Sequence, residues 1–390
     1  MKEKILSYGR QWINDDDIQA VVETLKGGFL TQGPLVGEFE KKLAAQAGAK
    51  YAVVANSATS CLHIAVLAAG ITQGDEVITS PITFVASSNA AFYCGATPVF
   101  VDVEKETAII DVNLLRSKVN SNTRAIIPVH FAGQSADMKR INQIAQEATR
   151  RYGKKVYVIE DAAHGLGGTY GDKPIGSCEY SDMAVYSFHP VKHITTCEGG
   201  AVLTNDDELY RLLTMYRSHG ITRDPKVIED SSTAPWGYEQ HVLGFNYRLP
   251  DVQCALGISQ LKRLPQFVSR RREIAQMYRK AFSEFGDVGF LEDNDLGNHA
   301  FHLFVVLLPY EKLGGRSQVM MKLRERGLVT QVHYIPVHTQ PYYKKNLGTK
   351  FGDFPNAEDY YKSCLSIPMF PAMTDEDVHR VVGEIKDLFN

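Results

Sequence analysis

The chain has 390 residues, of which 44% are hydrophobic and 22% are charged, and it contains 31 glycines and 16 prolines. This composition is that of an ordinary globular protein, and it excludes collagen, coiled coils and wholesale disorder. With 42 Lys and Arg against 45 Asp and Glu, the formal net charge is −3, which gives no overall attraction to nucleic acid or anionic membranes. We therefore expect small molecules, or a second copy of the chain, as partners.

Short β-rich runs alternate with segments of helical periodicity between about residues 50 and 205. This alternation is typical of βαβ units around a largely parallel sheet. The predicted strands are Tyr51–Asn56, Glu76–Ser80, Thr97–Val103, Ala125–His130, Val156–Glu160, Ala184–Phe188 and Ala201–Thr204. The predicted helices are Ser60–Ala69, Val85–Tyr93 and Met138–Tyr152.

The pattern changes after this region. Residues 218–244 are rich in Gly, Pro, Ser and Asp and lack a clear period; long loops of this kind are usually functional or interfacial. The following segments are helical from Asp251 to about Phe285 with an interruption at Pro265, then a strand (His302–Leu308), a helix (Ser317–Arg326) and a strand (Val329–Tyr334). We predict an α/β protein with a large domain over residues 1–250 and a smaller C-terminal α/β domain over residues 251–390.

The cysteines and the N-terminal residues give an indication of the cellular compartment of the protein. The six cysteines are scattered without a C-x-x-C pair, as in proteins that keep their thiols reduced. Residues 1–8 are charged and lack the apolar core of a secretory signal, and the most apolar helical stretch, residues 61–70, is too short to span a bilayer. We expect a cytoplasmic protein without a transmembrane segment.

A strand that runs directly into a helix ends in the small and hydroxyl residues Asn56, Ser57, Ala58, Thr59 and Ser60. The free N–H groups and the dipole of a helix N-terminus attract anions, so a phosphate could bind there. An ordinary N-cap explains the same residues, because Ser and Thr commonly start helices.

Two further strand ends carry reactive side chains. Asp161 follows one hydrophobic strand, and Ser187 and Lys192 follow another; taken singly, these fit a loop-capping Asp and a surface lysine. Together with the helix N-terminus they supply what pyridoxal phosphate requires, namely phosphate donors, a carboxylate for the pyridinium nitrogen and an amine for the aldehyde. We predict that Lys192 binds the cofactor covalently and carries protons, that Asp161 holds the ring nitrogen, and that Ser187 contacts the phosphate.

Other cofactor sites find less support. His189 and His193 have helix-like spacing around Lys192, but Pro190 interrupts such a helix and no cysteine or acidic residue completes a metal site. No G-x-G-x-x-G or P-loop motif occurs in a strand-to-helix context. We therefore predict no metal site and no dinucleotide site.

A series of short motifs extends over nearly the whole chain. They are Leu30–Pro34, Asn56–Ser60, Ser80–Ala86, Glu160–His164, Ser187–Lys192, Arg217–Ile221 and Gly244–Arg248. In this order the motifs resemble those of the DegT/DnrJ/StrS sugar aminotransferases, a branch of the aspartate aminotransferase (type I) fold. The resemblance implies a large domain with a mixed, mostly parallel sheet and pyridoxal 5'-phosphate as cofactor.

The resemblance also assigns residues to the cofactor. It implies Lys192 and Asp161 as the catalytic pair, and the remaining contacts are Phe84 stacked on the ring, His164, and Ala58, Thr59 and Ser187 on the phosphate. It further places Asn246 on the phosphate of a neighbouring subunit, which makes the site composite in a homodimer. A surface loop with Asn246 at a turn is the alternative.

Within the family, residues 331–338 followed by Tyr342 and Tyr343 resemble the transaminases of pseudaminic acid biosynthesis. The implied reaction transfers the amino group of glutamate to C4 of a UDP-linked 4-keto-6-deoxy-N-acetylhexosamine. The N-terminal segment 1–30 is then expected to contribute to the substrate site, and the implied contacts are Tyr8, Gly28, Phe29, Leu30, Thr31, Gln331, Val332, His333 and Tyr334. For His333 and Tyr334, packing inside the small domain is the alternative.

Three other functions remain open. One is an aminotransferase for another 4-keto or 3-keto nucleotide sugar. Another is a sugar dehydratase of the same fold, although relatives with that activity carry His in place of the lysine found here at position 192. The third, of a different class, is a regulatory protein that binds pyridoxal phosphate without turnover, which has no need of Lys192, Asp161 and Ser187 together.

Overall fold

The computed structural model describes residues 4–224, 226–230 and 236–390. The helices in this part of the chain are α1 (Asp15–Lys26), α2 (Pro34–Ala47), α3 (Ala58–Ala68), α4 (Ala86–Tyr93), α5 (Val112–Lys118), α6 (Met138–Tyr152), α7 (Asp207–Arg217), α8 (Asp251–Lys262), α9 (Leu264–Phe285), α10 (Arg316–Glu325), α11 (Pro341–Leu347), α12 (Pro355–Ser363) and α13 (Asp375–Lys386). None of the helices described is both long and apolar enough to cross a membrane.

The strands fall into one large sheet and several small ones. They are β1 (Leu6–Ser7), β2 (Tyr51–Ala55), β3 (Glu76–Thr79), β4 (Thr97–Phe100), β5 (Thr123–Ile127), β6 (Tyr157–Asp161), β7 (Thr169–Tyr170), β8 (Lys173–Pro174), β9 (Met183–Ser187), β10 (Gly200–Thr204), β11 (Ile221–Thr222), β12 (Glu239–Gln240), β13 (Gly289–Phe290), β14 (Phe304–Leu307), β15 (Leu328–Val329) and β16 (Cys364–Ile367).

The large sheet has seven strands in the order β2-β10-β9-β6-β5-β3-β4. Strand β10 runs antiparallel to both of its neighbours, and the other neighbouring pairs are parallel. Helices cover both faces, so strands such as β9 and β10 are buried along their whole length. In β2, Val53 and Ala55 face the layer that contains α3 and α7, whereas Ala52 and Val54 face the layer that contains α2 and α8.

A second core lies around the three-stranded sheet β13-β14-β16. It is built from apolar side chains of α9, α10 and α13, including Tyr278, Val319 and Val381. Strand β1 joins this unit, because it pairs in parallel with β15 and buries Leu6 completely in the same core. Because Tyr8 directly follows β1, its position is fixed by the pairing of β1 with β15 in the C-terminal part of the chain.

Most of the predicted elements of the large sheet are confirmed, with ends that differ by a few residues. The helical segment after Asp251 also breaks as predicted, since α8 ends at Lys262 and Pro265 lies in the first turn of α9. The predicted strand Val329–Tyr334 is wrong beyond Val329, because the only later pairing in the described backbone is an isolated bridge between Gln331 and Ser366. Of the predicted irregular stretch 218–244, residues 225 and 231–235 lie outside the described residues, as do residues 1–3 of the N-terminal segment.

Candidate active site

The parallel strands β2, β6 and β9 end at the same edge of the large sheet, above which lies a cavity of about 620 Å³. Carboxyl ends of parallel strands are where open α/β sheets bind ligands. The cavity is lined by Ala58 and Thr59 after β2, Asp161 at the end of β6, and Ser187 and Lys192 at and after the end of β9. Side chains predicted from separate strand ends thus lie around one space.

The N-terminus of α3 forms one wall of this cavity. Ser57 caps the helix, with its Oγ accepting a hydrogen bond from the Ser60 N–H at 3.1 Å. Ala58 and Thr59 occupy the first positions of the helix, where N–H groups have no intrahelical acceptor. Gly200 lets this turn approach the sheet closely, because a Cβ there would lie 2.7 Å from the Ala58 nitrogen. The wall therefore presents N–H donors and the Thr59 and Ser187 hydroxyls to an anion.

Both carboxylate oxygens of Asp161 accept hydrogen bonds from the protein. Its Oδ2 accepts from the Ser87 hydroxyl at 2.5 Å and its Oδ1 from the Ala163 N–H at 3.2 Å. The residue is 6% exposed, yet it lines the cavity. A carboxylate fixed in this way can accept a further charge-assisted hydrogen bond from a ligand in the cavity.

Lys192 brings an amine to the same space. The surrounding protein desolvates this amine and lowers the pKa of Lys192 to about 7; the negative charge of Asp161 opposes the effect and the charge of Arg271 adds to it. The Nζ atom lies 3.4 Å from Nε2 of His302. A substantial fraction of Lys192 is therefore unprotonated at neutral pH, which is the nucleophilic form of an amine.

Buried histidines surround the lysine. Burial lowers the pKa of His164 and of His302 well below the ordinary value, so both rings are neutral. The two rings lie 4.3 Å apart, and His164 Nε2 is 3.2 Å from the Tyr334 hydroxyl. Nδ1 of each ring is buried without a hydrogen-bond partner in the described part of the chain. Sequence reasoning missed His302, which lies far from Lys192 along the chain.

The remaining predicted contacts divide into two groups. Tyr8, Phe84, Gln331, Val332, His333 and Tyr334 line the cavity. His333 is also fixed from behind, with Nδ1 2.8 Å from the Ser366 hydroxyl. Five others do not line the cavity of this chain, and they are Gly28, Phe29, Leu30, Thr31 and Asn246.

The donor set fits pyridoxal phosphate. Helix N–H groups and hydroxyls suit the phosphate, the Asp161 carboxylate suits the ring nitrogen, and the Lys192 amine suits the aldehyde. The unpartnered His164 Nδ1 leaves a polar atom available beside this space. Among the described residues, no group of three or more His, Cys, Asp or Glu side chains could hold a metal ion.

Comparison with known proteins agrees with this chemistry. The profile of the DegT/DnrJ/EryC1/StrS aminotransferase family matches residues 11–386. The spore coat polysaccharide biosynthesis protein SpsC of Bacillus subtilis is 42% identical, with 99% of this chain and 98% of SpsC aligned. The UDP-4-amino-4-deoxy-L-arabinose–oxoglutarate aminotransferase of Shewanella sediminis is 35% identical, with 100% of this chain and 99% of that protein aligned.

Solved structures show the same relationship. PseC of Helicobacter pylori, an aminotransferase involved in pseudaminic acid biosynthesis, matches with a TM-score of 0.90 and 31% identity over 99% of both chains. The putative sugar aminotransferase Spr1654 of Streptococcus pneumoniae, in its PMP-form, matches with a TM-score of 0.89 and 28% identity over 98% of both chains. The predicted type I fold and the predicted cofactor, pyridoxal phosphate, are confirmed. The chain belongs to the DegT/DnrJ/EryC1/StrS aminotransferase family.

Proposed function

We propose that the protein transfers an amino group from glutamate to C4 of a UDP-linked 4-keto-6-deoxy-N-acetylhexosamine, as in pseudaminic acid biosynthesis. The observation that carries an aminotransferase function is the Lys192 amine, with a pKa of about 7, in one cavity with Asp161. The likeness to PseC over 99% of both chains supports the choice of sugar. A cytoplasmic enzyme accords with six unpaired cysteines.

Different residues of this chain would bind the cofactor and transfer protons. When bound, pyridoxal phosphate supplies an electron sink and a carrier for the amino group. Lys192 would bind it covalently and then move protons at the reacting carbon, since a pKa near 7 suits both acceptance and donation at neutral pH. Asp161 would keep a proton on the ring nitrogen, and the N-terminus of α3 with Ser187 would bind the phosphate.

Tyr334 has a separate role on the substrate side. Burial raises the pKa of its hydroxyl, so the group stays protonated at neutral pH. It lies at the cavity wall next to His164, where it can donate a hydrogen bond to a sugar oxygen. Tyr8, Gln331, Val332 and His333 complete this side, while Phe84 would stack on the cofactor ring.

A second subunit would supply the contacts that one chain lacks. Asn246 and residues 28–31 do not line the cavity, whereas Phe29, Leu30 and Leu243 expose 61%, 51% and 81% of their surface. Adjacent exposed apolar side chains, such as Phe29 and Leu30, are typical of an interface. We therefore propose a homodimer in which Asn246 reaches the phosphate of the partner's cofactor, and we retain the division into domains at residues 250 and 251.

The test is a panel of 4-keto and 3-keto nucleotide sugars with glutamate, analysed by mass spectrometry for the amino sugar and for 2-oxoglutarate. We expect the UDP-linked 4-keto-6-deoxy-N-acetylhexosamine to be the best acceptor. A 4-keto pentose is the second candidate, because of the Shewanella relative. Turnover of a different sugar alone would refute the substrate, and absence of both products with all acceptors would refute the aminotransferase.

Lys192→Ala and Lys154→Ala form a matched pair for this assay. Lys192→Ala should lower turnover by about 100-fold or more, because nucleophile and proton carrier are both lost. Lys154 is exposed after α6, so Lys154→Ala should behave like the wild type. Retention of more than a few per cent of the rate by Lys192→Ala would contradict the assignment of Lys192.

A further inference from the structure

Two hydroxyl groups form a chain that ends at the Asp161 carboxylate, and the outer one, that of Thr83, belongs to a residue that lines the cavity. Ser87, on α4, is completely buried, and its Oγ is 2.5 Å from Asp161 Oδ2. Thr83 is 2% exposed, and its Oγ1 is 2.6 Å from the Ser87 Oγ. Ser87 itself does not line the cavity, so anything it does there acts through Asp161.

The direction of these hydrogen bonds follows from counting protons. An ionised carboxylate only accepts hydrogen bonds, whereas each hydroxyl has one proton to donate. Ser87 therefore donates to Asp161, and its oxygen is left to accept from Thr83. The carbonyl of Phe84, 3.3 Å from the Ser87 oxygen, is the longer and uncharged alternative. A chain of this kind polarises each member, so the bond to the carboxylate is stronger than one from an isolated hydroxyl.

We propose that Ser87, oriented by Thr83, is a positioning residue for Asp161. It fixes Oδ2 and so holds the carboxylate in one orientation, which leaves the other lone pairs free to accept a hydrogen bond from the ring N–H of the cofactor. The inference rests on the proposed role of Asp161. Without the Ser87 hydroxyl the Asp161 carboxylate is free to rotate, and its hydrogen bond to the ring N–H weakens. The ring nitrogen then loses its proton more easily, although Ser87 does not contact the ring.

Ser88 provides a matched control on the same helix. Its side chain is also completely buried, and its Oγ lies 2.6 Å from the Tyr343 hydroxyl. Ser87→Ala and Ser88→Ala thus remove the same atom from neighbouring buried positions, and only the first removes a donor to Asp161. A purely structural role would give both variants lower stability and no difference at the cofactor.

The experiment loads each variant with pyridoxal phosphate labelled with ¹⁵N in the ring and follows the ¹⁵N chemical shift against pH. No sugar is needed. We expect the pH midpoint for loss of the ring proton to be about one unit lower in Ser87→Ala than in the wild type, which corresponds to a tenfold weaker hold on the proton. Ser88→Ala should keep the wild-type midpoint. Thr83→Val, which removes only the outer hydroxyl, should shift the midpoint in the same direction by less.

Equal midpoints in Ser87→Ala and the wild type would overturn the inference. If Ser87→Ala fails to fold or to bind the cofactor, Ser87→Cys, which keeps a weak donor, replaces it. We expect a smaller shift of the midpoint in Ser87→Cys, and an unchanged midpoint in that variant would also overturn the inference. Asp161→Asn tests the role of Asp161 separately from that of Ser87. If it leaves the ring protonated as in the wild type, the proposed role of Asp161 fails; if it lowers the midpoint and Ser87→Ala does not, only the role of Ser87 fails.

Discussion

Lys192 is the residue whose chemistry depends most on its surroundings. Since burial lowers its pKa to about 7, the amine loses its proton well below the value of about 10.4 that is usual for lysine. In protein free of cofactor, covalent labelling of Lys192 by an amine-reactive reagent should therefore rise with pH around a midpoint of about 7. Peptide mass spectrometry measures this rate for each lysine separately.

Lys362 serves as the internal control for that titration. It is a surface lysine whose hydrogen bond to Asp359 raises its pKa. Its labelling should become fast only in alkaline solution, in the same samples. If Lys192 and Lys362 were labelled with the same pH dependence, the amine of Lys192 would not be desolvated as described.

The sequence pointed to the cavity-lining residues that follow strand ends, and it gave little sign of the residues that reach them by tertiary packing. Asp161, Ser187 and Lys192 follow β-rich runs, so their meeting at one sheet edge is predictable. His302 and Ser87 belong to other segments, and they approach Lys192 and Asp161 through contacts 110 and 74 residues apart in the chain. Thr83 and Ser87 are four residues apart, with Thr83 before α4 and Ser87 within it, and this spacing is a weak local signal for the hydroxyl pair.

At the level of elements, the close approach of α3 to β10 has a testable consequence. In Gly200→Ala, the new Cβ would lie 2.7 Å from the Ala58 nitrogen and 2.8 Å from the Tyr186 carbonyl oxygen, so the backbone must shift. We expect a loss of about 1–3 kcal/mol in the free energy of unfolding. Because the shift moves the N-terminus of α3, the dissociation constant for pyridoxal phosphate should also rise.

Gly383→Ala is the control for this substitution. Gly383 lies within α13, and a Cβ there would meet no atom within 4 Å. That variant should gain up to about 1 kcal/mol from helix propensity and bind the cofactor normally. Urea unfolding and a fluorescence titration with pyridoxal phosphate measure both quantities. Wild-type cofactor affinity in Gly200→Ala would show that the α3 turn does not bind the phosphate.

The distribution of apolar residues along the sequence predicted the strands of the large sheet well. The strands of the large sheet are short apolar runs buried on both faces, so the apolar pattern and the observed strands coincide. Residues 329–334 have β-branched residues as well, which led to the wrong strand. There, tertiary context overrides propensity, because Gln331 pairs once with Ser366 and no ladder continues.

At the scale of the whole molecule, the proposed dimer makes complementation possible. We expect Lys192→Ala and Asn246→Asp to be inactive or severely impaired alone, the second because a carboxylate would repel the phosphate. In a mixed dimer, one site would combine an intact Lys192 with an intact Asn246 of the other chain, while the other site would carry both defects. Activity after mixing and refolding should approach that of one wild-type site for each mixed dimer.

Two controls keep this experiment decisive. Refolding each variant alone should restore nothing, and analytical ultracentrifugation should show a dimer at the assay concentration. If mixed samples that contain mixed dimers stay inactive, or if the wild type is an active monomer, the composite site is refuted.

Strand β1 cannot pair with β15 until most of the chain has been synthesised. Leu6 leaves the ribosome long before Leu328, its partner in the parallel ladder. At roughly 5–20 residues per second the delay is about 15–60 s. During that interval the large sheet can form without β1, whereas the small core, which includes Leu6, cannot close. Tyr8 thus joins the cavity wall only after translation has passed β15, so the nascent chain completes this part of the substrate site late.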